Sequence, residues 1–108
     1  VTKKDDNKEP TEAGDVMTLE RQKTKKPRRY FVVMHNDDYT TQEFVVFVMV
    51  RFFHKSAEEA NRLMIMVHTK GKATVGVYTR DIAETKVRLV TDYAREHGMP
   101  LLLTAEPE

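Results

Sequence analysis

Asn36, Asp37 and Asp38 stand in a row between a short apolar run, Tyr30 to Met34, and a longer one that begins at Phe44. Three side chains that accept hydrogen bonds, set at a strand-to-helix turn, can face a cation while the flanking apolar residues build a pocket beside it. A free amino terminus is one such cation. The same residues also suit a plain turn, because Asn and Asp favour turns and negative charge is favourable ahead of a helix N-terminus. Carboxylate catalysis and calcium binding have less support. Adjacent Asp residues at one turn have no assured acid/base separation, and the stretch lacks the periodic oxygen ligands and glycine of a calcium loop.

The chain has four histidines, His35, His54, His68 and His97, and none of them pairs at the helical spacing of a zinc protease motif. His35 ends an apolar run, while His54 and His97 fall at helix ends, where capping or surface roles suffice. His68 is different. It follows Met64 by four residues, so the two share one helix face, with an imidazole beside an apolar side chain at the end of that helix. No serine is bracketed by glycines, Lys70-Gly71-Lys72 is too short for a phosphate-binding loop, and four glycines leave no nucleotide fingerprint. An enzyme built on Asp37, Asp38 and His68 is therefore the last-ranked reading.

The elements that position these residues follow from periodicity. Tyr30 to His35 is rich in aromatic and β-branched residues and runs into turn-forming Asn and Asp, which marks a strand. Thr40-Thr41-Gln42-Glu43 matches a capping box with Thr40 as the cap, opening a helix to about His54 whose body is apolar nearly all round. Such a helix is expected to be sandwiched between a sheet and another helix. Ser56-Ala57-Glu58-Glu59 is a second capping box, and Ala60, Leu63, Met64 and Val67 recur behind it at helical spacing until Gly71. Ala73, Val75 and Val77 then alternate with Thr74, Gly76 and Tyr78 as in a half-buried strand. A third helix from Thr79 buries Ile82, Ala83, Val87, Val90, Tyr93 and Ala94 and stops at Gly98, before a last strand, Leu101 to Thr104. The predicted fold is α+β, β-α-α-β-α-β, with a small three-stranded antiparallel sheet packed on three helices.

At 108 residues there is room for one small domain, and residues 1–26 are too polar to join its core. They are expected to form a flexible extension, with Val16, Met17 and Leu19 as its only large apolar group, ahead of a core domain over 27–108. With no cysteine, a disulfide scaffold, a thiol nucleophile and a thiolate zinc site are excluded, and a reducing cytoplasm fits. No apolar run approaches the roughly 20 residues that span a bilayer. The net charge of +1 hides six Lys or Arg residues among the nine from Arg21 to Arg29. That run can touch phosphates, so a small nucleic-acid-binding module is the alternative. A solvated linker is the simpler account, and no aromatic residue interleaves with the run to stack on bases.

Taken together, NDDYTTQEFVV at 36–46, RLMIMVH at 62–68, GKATVGVYT at 71–79, AETKV at 83–87 and YAREHGMPLL at 93–102 resemble ClpS, the adaptor family of the bacterial Clp protease system. The resemblance implies a binding adaptor rather than an enzyme. Such an adaptor takes N-degrons, proteins whose first residue is Phe, Tyr, Trp or Leu, and hands them to a ClpA-type or ClpC-type unfoldase. By position, it implies that Asn36 and His68 accept from the substrate's α-ammonium group, with Asp37 adding its charge through water. It makes Thr40, Gln42, Val45, Met64, Val67 and Leu101 the pocket, with Gln42 where many members carry a gating methionine. Asp81 and Lys86 fall where the family meets the unfoldase. A cytoplasmic monomer without cofactor or metal is expected.

Overall fold

The computed structural model describes residues 27–108, so the extension expected over 1–26 and the basic residues from Arg21 to Lys26 lie outside the described residues. Along the chain come β1 (Arg29–His35), α1 (Gln42–Phe53), α2 (Ala57–Lys70), β2 (Lys72–Thr79), α3 (Arg80–Glu96) and β3 (Leu102–Pro107). This is the α+β order expected from the sequence. β1 takes the centre of the sheet, with β2 and β3 antiparallel on either side. Val32 and Met34 of β1, Ala73 and Val75 of β2 and Leu103 of β3 join one buried cluster with Val48, Met49, Leu63, Val67, Val90 and Ala94 of the helices. Alternation along a strand puts Val33 on the other face, and it lies outside that cluster.

Three expectations need correction. Ala73 and Val75 are buried as alternation requires, but Val77 is 42% exposed and Tyr78 takes the half-buried place. The cause is a bulge: Val32 pairs with Gly76 and Val33 with Thr74, leaving Val75 as the extra residue. One added residue exchanges the inward and outward sets beyond it. Gly76 makes room for the result, since a Cβ there would stand 2.5 Å from Cε2 of the Tyr78 ring.

The second correction concerns α1. Val45, Val48, Met49 and Phe53 are buried, but Phe47 and Val50 stand 46% and 43% exposed, so the apolar body is wider than its neighbours cover. The third is Ile82 of α3, which faces solvent although the pattern assigns it to the core. Ala83, Val90 and Ala94, all wholly buried as expected, form the packed stripe of α3, and the two alanines let this helix lie close to its neighbours.

Helix ends fix the corners. Ser56 caps α2 by accepting the Glu59 N–H at 3.1 Å, although Glu59 turns its carboxylate to Arg62 rather than back to the cap. α1 ends at His54, a non-glycine residue in the left-handed region at φ 58°, and the Lys55 N–H closes the end on the Met49 carbonyl at 3.1 Å. Gly71 ends α2 at φ 91°, a conformation glycine adopts without steric cost, and its N–H donates to Val67 at 2.9 Å.

Candidate functional site

The site begins where β1 runs out. Asn36 follows the last residue of the strand, and its N–H donates to the carbonyl of Gly71 at 2.9 Å, tying the turn to the C-terminal end of α2. His68 lies in the last turn of that helix. One backbone hydrogen bond thus brings together two side chains 32 positions apart in the chain. Among the described residues neither the Asn36 side chain nor the His68 imidazole has an intramolecular hydrogen-bond partner, and both are exposed. They are free to accept from a ligand.

Asp37 is held differently. Its Oδ1 accepts the amides of Tyr39 at 2.8 Å and Thr40 at 2.7 Å, and its Oδ2 accepts the Thr40 hydroxyl at 2.7 Å. This explains why the cap of α1 is Thr41, one residue later than expected: Asp37 has taken the Thr40 hydroxyl, and Thr41 Oγ1 accepts the Phe44 N–H at 3.1 Å instead. Burial pushes the Asp37 carboxyl up, but the Thr40 and Tyr39 hydrogen bonds and the positive charge of Arg95 outweigh it and hold the group below its usual range. The turn therefore carries a firm negative charge whose oxygens are already engaged.

Between this turn, the start of α1 and the end of α2 lies a cleft of about 220 Å³ lined by Asn36, Asp37, Asp38, Thr40, Gln42, Val45, Met64, Val67 and His68. That volume is below the range of clefts that enclose drug-sized ligands and suits one side chain. Val45 and Val67 are buried and Met64 half-buried, so the apolar part is preformed. The hydrogen-bonding groups come from the turn and from His68. A cation with an apolar appendage matches the arrangement.

Eight of the nine residues assigned to this site from the sequence line the cleft. Leu101 does not. It is 1% exposed and packed in the core cluster, and its carbonyl accepts from Arg95 Nη1 at 3.3 Å. Val45 and Val67 belong to the same cluster and do line the cleft. Asp38, the third member of the cation-facing row, also lines the cleft, although the family resemblance gave it no role there. Among the described residues no group of three or more His, Asp or Glu side chains is placed to hold a metal ion.

Comparison with known proteins decides the family. The family model "ATP-dependent Clp protease adaptor protein ClpS" matches residues 25–104. The chain belongs to the ClpS family. It is 52% identical over 99 residues to the ATP-dependent Clp protease adapter protein ClpS of Deinococcus radiodurans, covering 92% of this chain and 88% of that protein. The ClpS of Desulfatibacillum aliphaticivorans is also 52% identical, over 95 residues that make up 88% of this chain and 91% of the relative. Among solved structures, Agrobacterium tumefaciens ClpS2 bound to L-phenylalaninamide superposes with a TM-score of 0.75 at 46% identity, covering 77% of this chain and all of that one.

The residues that the ClpS resemblance assigns to an unfoldase are less alike in structure than in sequence. Asp81 is exposed in the first turn of α3. Lys86 is half-buried: its Nζ donates to the Phe52 carbonyl at 2.7 Å and lies 5.9 Å from both the Phe53 and Tyr78 rings. It thus secures the C-terminal end of α1 from α3. Of the basic run, Arg28 is exposed, and Arg29 is bonded to Glu108 through Nε and Nη2 at 3.1 and 2.6 Å. Among the described residues no helix is long and apolar enough to cross a membrane.

Proposed function

We propose that this ClpS-family chain binds the free amino terminus of proteins whose first residue is Phe, Tyr, Trp or Leu, and delivers them to a ClpA-type or ClpC-type unfoldase. The observation that carries the reading is the cleft itself: acceptors from Asn36 and His68 that have no partner among the described residues, the Asp37 charge beside them, and apolar lining from Val45, Met64 and Val67. The ligand of the related structure, phenylalaninamide, has both halves of the chemistry, an α-ammonium group and a benzyl side chain.

Asn36 Oδ1 and one nitrogen of neutral His68 accept from the ammonium group, which has three N–H bonds to give. Asp37, whose oxygens are occupied by Tyr39 and Thr40, acts by its charge and through water. Burial of one large apolar side chain contributes about 1.5–3 kcal/mol. Each charge-assisted hydrogen bond adds about 1.5–3 kcal/mol before ordering costs, which makes micromolar binding reasonable. Selectivity needs both halves. An acetylated terminus leaves the acceptors unpaired, and a polar first residue leaves the apolar part empty.

In this reading the protein is a cytoplasmic monomer, a carrier without catalysis, and Asp81 meets the unfoldase while Lys86 shapes that surface from its bond to Phe52. The test is binding of a labelled peptide beginning with Phe against its N-acetylated copy and one beginning with Ser. Strong binding of the first alone is expected. Equal binding of all three sinks the proposal. Steep weakening of binding to single-stranded oligonucleotides with added salt, without any peptide binding, would favour the basic-segment alternative.

A further inference from the structure

The cleft has a neighbour. A second groove of about 370 Å³ runs along the outer seam of α1 and α2, lined by Gln42, Glu43, Val46, Phe47, Asn61 and Met64. Gln42 and Met64 line both, so they form the wall between the two sites. Phe47, nearly half exposed, is not loose: its ring stacks on Tyr93 at 6.0 Å and 22°, and Tyr93 stacks in turn on Phe44 at 5.8 Å and 18°. This aromatic column, anchored on α3, keeps an apolar wall that no side chain among the described residues covers.

We infer that this groove takes the apolar side chain of the third residue of a bound peptide. The inference rests on the proposed binding of an amino terminus in the adjoining cleft. In an extended chain successive side chains point to opposite sides, and every second one returns to the same side after about 6.5–7 Å. A first side chain held in the cleft, on one side of the Gln42 and Met64 wall, therefore sends the third, and not the second, over it into the neighbouring groove. Val46, Phe47 and the Met64 stem supply the apolar contact. Glu43 stands at the rim and is in no ion pair among the described residues, so its charge repels an acidic third residue. The groove's single anionic group makes a purely apolar or basic residue acceptable and Asp or Glu unfavourable.

The experiment is fluorescence anisotropy on the full chain with labelled peptides that all begin with Phe and differ only at the second or third residue. Leu in place of Ala at the third position should tighten binding about fivefold, the effect of partly burying one aliphatic side chain. Asp there should weaken it. Phe47→Ala should remove the Leu gain while leaving the Phe-Ala-Ala peptide bound as before. Glu43→Lys, at an exposed position with little effect expected on folding, should convert the Asp penalty into a gain. Equal affinity for Ala, Leu and Asp at the third position overturns the inference, as does a gain confined to the second position. Either result leaves the dependence on a free first Phe intact, whereas loss of discrimination against the N-acetylated peptide would strike at the amino-terminus reading itself.

Discussion

Asp37→Asn separates two jobs that one side chain performs. In the turn, Asp37 Oδ1 takes the Tyr39 and Thr40 amides at 2.8 and 2.7 Å, and Asn keeps an oxygen for both. The other branch becomes an amide that can donate to the Thr40 hydroxyl, which now accepts where it formerly donated. The turn thus survives with weaker bonds, since hydrogen bonds to a charged group are about twice as strong as neutral ones. A stability loss of about 1–2 kcal/mol is expected for three partly solvated bonds. The ligand loses something else: one negative charge. With a single water between carboxylate and ammonium, about 6 Å, that charge is worth roughly 0.7 kcal/mol in water and nearly 3 kcal/mol at an effective dielectric of about 20. Affinity for a peptide beginning with Phe should fall about three- to a hundredfold, most at low salt.

The assay is anisotropy of the labelled peptide at low and high ionic strength, with urea unfolding run in parallel. The acid side supplies a second readout. Because the folded state holds the Asp37 carboxyl below its usual range, the unfolded chain binds a proton first as pH falls. The stabilisation is therefore present above the ordinary aspartate range near 3.9 and is lost as pH drops towards the folded value. The Asn variant should lack this part of the acid-induced loss. An unchanged affinity at low salt, with discrimination against the acetylated peptide intact, would refute the charge argument.

Three further outcomes follow from the geometry. Asn36→Ala and His68→Ala remove exposed side chains without hydrogen-bond partners among the described residues, so each should weaken binding about ten- to a hundredfold with little change in unfolding midpoint. A large loss of stability, or unchanged affinity, would place these side chains in the fold rather than in the site. Gln42→Met makes the wall shared by the two grooves apolar and should sharpen preference for Leu over Ile at the first position; identical preferences in the two forms would show that Gln42 points away. His54→Gly relieves a side chain at φ 58° and should stabilise the protein by up to about 1 kcal/mol in urea unfolding, with peptide affinity unchanged.

Much of the fold was readable because its signals are local. Gly71, Ser56 and Gly98 mark helix boundaries through backbone preference and capping, which neighbours in sequence settle. Expectations slipped where two local rules competed or a partner strand intervened. Thr40 and Thr41 are equally good caps, and the Asp37 carboxylate, three residues upstream of Thr40, decided between them. Val77 fits perfect alternation, but an extra residue in β2 opposite β1 turned it outward. Lys86 reads as a solvated helix charge until α3 is laid beside the end of α1 and its ammonium finds the Phe52 carbonyl.

The sequence by itself determined which chemistry was available: a row of acceptors at a turn, one imidazole paired with methionine on a helix face, no thiol, and motif blocks dense enough to resemble one family. Only the tertiary structure decided which of these groups meet. The Asn36 amide bonded to the Gly71 carbonyl carries His68 to the turn, and the packing of α1 against α2 brings Gln42 and Met64 to one cleft. Leu101 packs in the core and is not among the residues that line the cleft, and the groove beside Phe47 had no sequence signature at all. The reason is physical. Composition and spacing dictate what a segment prefers alone, whereas a cleft is the space left between segments, and its walls are chosen by how burial is shared among all of them.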